Sequence, residues 1–138
     1  MHPFDFATPE IRMLWASAAL GLVQLAIAFL FSLGARGMPW ALGARDEPGR
    51  PVGKIGARLG RAYSNYLETF PIFAALVLVD NAMDRHSAMT AWGAQLYFTG
   101  RVLYVPLYAF GIPIARSLAF GAATAGIVTI LLAIWPGT

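Results

Sequence analysis

The stretch MLWASAALGLVQLAIAFLFSL, residues 13–33, contains no charged side chain, and Gln24 is its most polar residue. A helix needs about 20 residues to cross a hydrocarbon core about 30 Å thick, so the stretch reads as a transmembrane helix. Just before it, Thr8, Pro9 and Glu10 make a helix start: a hydroxyl able to cap free amides, a proline suited to the first helical position, and an acid favoured by the macrodipole. The first ten residues, MHPFDFATPE, carry Asp5 and Glu10 and lack the basic start of a secretory signal, while the apolar run is too long for a signal core. The first span is therefore expected to be retained.

Beyond Leu33 the composition turns to glycine, proline and charge, and residues 34–56 read GARGMPWALGARDEPGRPVGKIG. Such a stretch would leave unpaired backbone groups in hydrocarbon, so it is a loop, with a short interfacial helix expected around Trp40. Three more apolar stretches follow, giving spans at about 12–33, 58–79, 88–110 and 117–135 in a single domain covering 1–138. The second span begins polar, with Ser64, Asn65 and Glu68, and the third contains Arg101. The expected fold class is all-α: an integral membrane four-helix bundle, left-handed and antiparallel. Small residues four apart in the last span, Ala122 with Gly126 and Gly121 with Ala125, would let helix backbones approach closely.

Composition agrees with this reading, since 58% of the 138 residues are hydrophobic and only 12% are charged, far from a water-soluble domain. The net charge of +3 does not point to nucleic acid, because most basic residues crowd into one loop, where anchoring to the membrane surface explains them. Cysteine is absent, which excludes disulfides, a thiolate nucleophile and cysteine metal sites. The histidines, His2 and His86, have no partner at metal-ligand spacing, and no metal is expected. Arg36, Arg45, Arg50, Lys54, Arg58 and Arg61 lie in or beside the first loop and Arg116 beside the third, against Arg12 and Arg85 on the other side. This bias places loops one and three in the cytoplasm and both termini on the far side, as in a bacterial inner membrane protein.

An ionisable residue at the centre of a membrane helix costs about 2.5 to 3.5 kcal/mol on insertion scales, so Glu68 and Arg101 need protein or water around them. At 100° per residue, Arg58, Arg61, Asn65 and Glu68 fall within roughly 80° of arc on the second helix. Tyr97, Arg101, Tyr104 and Tyr108 occupy roughly 60° on the third. Adjacent spans run antiparallel, which sets Arg61 and Asn65 near the depth of Tyr108 and Tyr104, and Glu68 near that of Arg101. Pro71 adds an expected kink there. A buried Glu68–Arg101 ion pair would explain two of these residues. A cleft open to the basic loop explains more of them: it would offer Arg58, Arg61 and Arg101 to ligand carboxylates and Glu68 to an ammonium group.

Two segments carry a family resemblance. RAYSNYLETFP, Arg61 to Pro71, and RVLYVPLYAFGIPIARS, Arg101 to Ser117, resemble the second- and third-helix patterns of the membrane-associated proteins in eicosanoid and glutathione metabolism. The first pattern is Arg-Ala, then Asn, Glu and Pro at these spacings; the second is Arg, a Tyr or His three on, a Tyr four further, and an Arg after the loop. The resemblance implies a trimer of four-helix subunits that binds glutathione between neighbours near the cytoplasmic side. Arg61, Asn65, Glu68, Tyr104, Tyr108 and Arg116 match family positions that contact glutathione, and Arg36 matches a further arginine that reaches the tripeptide. There are departures. Gly37 stands at one of two places where the eicosanoid synthases have a catalytic arginine, and Arg116, followed by Ser117, matches the other. Phe120 and Ser64 replace a tyrosine and an arginine of the prostaglandin synthase.

The expected function is that of a glutathione-dependent membrane enzyme, a transferase or peroxidase acting on lipophilic electrophiles from the bilayer, with glutathione as co-substrate and lipids around it. Arg116 would lower the thiol pKa by placing positive charge beside the sulfur, and Ser117 would donate a hydrogen bond to it. The alternative is a scaffold without catalysis, or an accessory subunit of a larger membrane complex. An ion path through Glu68 and Arg101 would be accompanied by repeats and broken helices, and the sequence has no internal repeat.

Overall fold

The computed structural model describes residues 8–137 and is helical throughout its ordered elements. The helices are α1 (Pro9–Arg36), α2 (Met38–Leu42), α3 (Gly53–Met83), α4 (Ala88–Ala109) and α5 (Pro113–Ala133). His2 and Asp5 lie outside the described residues.

Helix α1 begins as expected with Pro9 in its first turn, but the Thr8 hydroxyl makes no cap bond, and Glu10 turns inward to Thr90. It ends at Gly37, whose φ of +82° suits a residue without a Cβ, and whose N–H donates to the Leu33 carbonyl at 2.9 Å. The loop then forms the short helix α2 around Trp40, whose indole N–H donates to the Glu47 carbonyl at 3.0 Å. The 31 residues of α3 continue through Pro71. At about 1.5 Å per residue α3 is some 46 Å long, so one end must project beyond a core about 30 Å thick. The basic end, with Lys54, Arg58 and Arg61, is the part suited to water. A Ser87–Thr90 capping box starts α4, and a turn through Gly111 leads into α5.

The four long helices run up-down-up-down. Three of them, α1, α3 and α5, are long and apolar enough to cross a membrane; α4 is long enough at 22 residues but less apolar. The cause is its load of Gln95, Arg101, Tyr97, Tyr104 and Tyr108. Arg101, Tyr97 and Tyr104 are buried, so they do not meet lipid. Short turns join α4 to α3 and α5, and it therefore runs the length of the bundle between them. The outer surface is apolar, with Trp15, Leu22, Leu30, Leu118 and Leu132 exposed, as a lipid-facing wall requires.

The closest helix pair is α4 with α5. A Cβ built on Gly93 would lie 2.7 Å from the Gly126 carbonyl oxygen, and one on Gly100 would lie 2.8 Å from that of Ala119. Glycine is therefore needed for this approach. Of the small residues expected to serve it, Gly126 does, whereas Gly121 faces open space; both belong to α5, but they lie on different faces. The centre is filled by Phe73 and Tyr97, stacked at 4.0 Å, with Ile127, Ile130 and Val77 around them. Tyr66 ties α3 to α1 by donating its hydroxyl to the Ser17 carbonyl, and the Thr69 and Tyr97 hydroxyls meet at 3.1 Å between α3 and α4.

Candidate functional site

The polar stripes of α3 and α4 face each other at the end of the bundle that carries the basic loop. Arg61 Nε donates to the Tyr108 hydroxyl at 3.0 Å, and Arg58 Nη1 donates to the Ala109 carbonyl at 3.3 Å, where a cation suits the C-terminus of α4. One turn deeper, Arg101 Nη1 donates to Asn65 Oδ1 at 2.8 Å. Arg101 is only 1% exposed, and its guanidinium lies 4.4 Å from the Tyr104 ring centre and 5.3 Å from that of Tyr66. Burial of this charge is thus offset by a carboxamide and two aromatic faces.

Glu68 lies near the depth of Arg101, since both meet the Asn65 carboxamide, but it does not face the guanidinium. Among the described residues it makes no ion pair with Arg101 within 4.0 Å, and its carboxylate only receives the Asn65 amide at 3.5 Å. The reason lies in the helical arc: Glu68 sits about 60° from Asn65 at the edge of the stripe, and the packing of α3 turns that edge outward. The chain therefore shows Glu68 exposed halfway along α3, with Arg61 exposed above it.

Helix α5 brings the third wall. Arg116 lies in its first turn, with its guanidinium 4.6 Å from the Tyr108 ring centre, and Tyr104 and Tyr108 meet edge to face at 5.5 Å. Asn65, Tyr104, Tyr108, Arg116, Ser117 and Phe120 line one cavity of about 260 Å³. The Ser117 hydroxyl donates to the Pro113 carbonyl at 2.9 Å, so its proton is already engaged within the helix.

A second cavity, about 550 Å³, lies beside the first and is lined by Arg36, Pro51, Val52, Lys54, Arg58 and Arg61 among others. Arg36 is fixed there, with Nε donating to the Arg50 carbonyl at 3.0 Å and its guanidinium 4.6 Å from the Trp40 ring centre. The walls of the two cavities meet at the Arg61–Tyr108 bond, since Arg61 lines one and Tyr108 the other.

Of the residues singled out from the sequence, Arg36, Arg58, Arg61, Asn65, Tyr104, Tyr108, Arg116 and Ser117 therefore gather along two neighbouring cavities. Arg101 braces them from below, and Glu68 faces outward. Sequence reasoning passed over Tyr66, although it follows Asn65 directly, and over Lys54, which was counted as loop charge. Chemically, the arrangement offers several guanidinium groups for carboxylates, two phenols, a carboxamide and a cation at the mouth of a partly apolar pocket.

No curated protein and no solved structure matches the chain closely. The sequence profile of the MAPEG family, by contrast, matches residues 13–135, nearly the full length and every element that builds these cavities. With a bundle of apolar helices beneath a basic loop and a polar cleft between α3, α4 and α5, the chain is an integral membrane protein that belongs to the MAPEG family.

Proposed function

We propose that the chain is a glutathione-dependent enzyme of the transferase or peroxidase type that acts on lipophilic electrophiles. The observation that carries this reading is the gathering of Arg36, Arg58, Arg61, Tyr108 and Arg116 along two cavities whose walls meet at the Arg61–Tyr108 hydrogen bond. A tripeptide with two carboxylates and a thiol can lay its charged ends against Arg36, Arg58 and Arg61 and its sulfur toward Arg116. There the guanidinium favours the thiolate, the reactive nucleophile. In a conjugation step the thiol proton leaves to water, and the thiolate sulfur forms a bond to the electrophilic carbon, which gives up its leaving group or its π bond. Phe120 and the apolar wall of α5 face the side from which a lipophilic partner arrives. Ser117 can reach the sulfur only by giving up its bond to Pro113, so Arg116 carries the larger part.

The exposed Glu68 and Arg61 support assembly around this site. A carboxylate facing lipid halfway along a helix is costly, and a second copy packed against α3 removes that cost. We place the ligand at such a seam, in a homotrimer with the basic loop in the cytoplasm of a bacterial inner membrane.

A second reading, a scaffold without catalysis, is favoured by Gly37. The positive φ at that position suits glycine, so the catalytic arginine that the eicosanoid synthases place there would strain this backbone. Calorimetry in detergent separates the readings: glutathione should bind to the wild-type protein, and absence of heat leaves the scaffold. With an aryl halide as electrophile, Arg116→Ala should lower kcat by roughly a hundredfold, the scale of losing one charge-stabilising group. Full activity in that variant removes the mechanism.

A further inference from the structure

At the opposite end of the bundle from the basic loop, three elements bring together two carboxylates and an imidazole. Glu10 in the first turn of α1 and Asp80 in the last turn of α3 are 1% and 0% exposed, and His86 follows in the turn before α4. His86 Nδ1 lies 2.8 Å from Asp80 Oδ2 and 3.8 Å from Glu10 Oε2, and ligand atoms of all three residues lie within 4.8 Å of one another. Two buried carboxylates this close repel each other, and one imidazolium balances only one of them. Arg85 does not supply the missing charge, because its guanidinium donates to the Trp135 carbonyl at 2.8 Å.

The carboxylates also have oxygens left over. Glu10 Oε2 and Asp80 Oδ1 are fully buried and accept no hydrogen bond among the described residues. The other oxygen of Glu10 is held by the Thr90 hydroxyl, and Thr90 is in turn fixed by the Ser87 capping box. On the far side of the imidazole, Asp84 Oδ1 lies 3.9 Å from Nε2, and the Nδ1 proton that bonds Asp80 Oδ2 is the one a metal ion displaces. Such outer partners are what orient ligands toward a metal.

We infer that Glu10, Asp80 and His86 form a binding site for one zinc ion. Tetrahedral ligands at about 2.1 Å from zinc stand about 3.4 Å apart, between the 2.8 and 3.8 Å observed from Nδ1 to the two carboxylates. A divalent ion held by Asp80 Oδ2, Glu10 Oε2 and His86 Nδ1 balances both carboxylates and gives the unpartnered Glu10 Oε2 a partner. It enters past His86, whose side chain is 26% exposed, and its fourth ligand is water. The site clamps the ends of α1, α3 and α4 on the side away from the cleft. The two histidines gave no sign of it in sequence, because the ligands come from positions 10, 80 and 86.

The test uses the full-length, tag-free protein in detergent, stripped with a chelator and titrated with zinc chloride under calorimetry and elemental analysis. One zinc per chain is expected. Glu10→Gln, Asp80→Asn and His86→Ala should each weaken binding by about tenfold or more, while His2→Ala should leave it unchanged. The first two variants keep side-chain shape, and circular dichroism reports whether they fold. Zinc far below one per chain, binding indifferent to all three substitutions, or binding lost with His2→Ala overturns the site. If the variants unfold, X-ray absorption at the zinc edge of the wild-type protein reads the ligands directly. One imidazole with oxygen donors supports the site; two imidazoles or none overturns it.

Discussion

Asn65 uses both ends of one carboxamide. Its oxygen accepts from Arg101 at 2.8 Å, and its amide points to Glu68 at 3.5 Å, so it separates a buried cation from an outward-facing acid. Arg101 has no other hydrogen-bond acceptor among the described residues, and its Nε and Nη2 are buried without one. Asn65→Ala should therefore destabilise the protein by about 2 kcal/mol, the scale of a lost bond to a charged group, read as a lower thermal midpoint in detergent. Tyr66→Phe, which removes the donor to the Ser17 carbonyl, should cost about 1 kcal/mol by the same measurement. At this scale much of the cleft was legible. Helical spacing set Arg61 beside Tyr108, and they are hydrogen-bonded. Glu68 was not legible, because an arc of residues defines a face only to within its own width. Which edge of that arc turns inward depends on how neighbouring helices pack.

Among the elements, α4 and α5 are held by backbone contact rather than by large side chains. Gly126→Val would drive a side chain toward the Gly93 carbonyl oxygen, 2.5 Å from where its Cβ would sit. The expected loss is about 3 kcal/mol or failure to fold, whereas Gly121→Ala, with nothing within 4 Å, should leave the thermal midpoint unchanged. The spans themselves were readable from apolar runs, and the short helix at Trp40 from its setting in the loop. α4 was read as a span at about 88–110, and it is a helix over Ala88–Ala109 whose most apolar stretch falls below those of the other three. Its polar residues lower its hydropathy, yet most are turned inward, and composition does not record direction. Gly93 and Gly100 went unremarked because their role lies in what faces them on α5.

For the whole molecule, the two ends differ in chemistry. The end near the first loop is basic and open, whereas the other closes over Glu10 and Asp80. The acid cluster could not be read from spacing, since its members are up to 76 positions apart, from 10 to 86. The proposed trimer makes a direct prediction. The chain has no cysteine, so Glu68→Cys introduces a single thiol on the exposed face of α3. A thiol cross-linker should join such chains into dimers in native membranes, and native mass spectrometry of the wild-type protein should give three copies. Monomers in both experiments would leave Glu68 facing lipid and remove the shared site.

The exposed carboxylate also bears on the life of a newly made chain. In the proposed trimer, a copy that has not yet met its neighbours carries into the bilayer a charge that lipid rejects, and such copies should be the ones that membrane proteases remove. Copy number should then be set by assembly rather than by synthesis. In a pulse-chase experiment at low expression, Glu68→Gln should lengthen the lifetime of the unassembled chain, while the wild-type protein becomes long-lived only as its concentration rises.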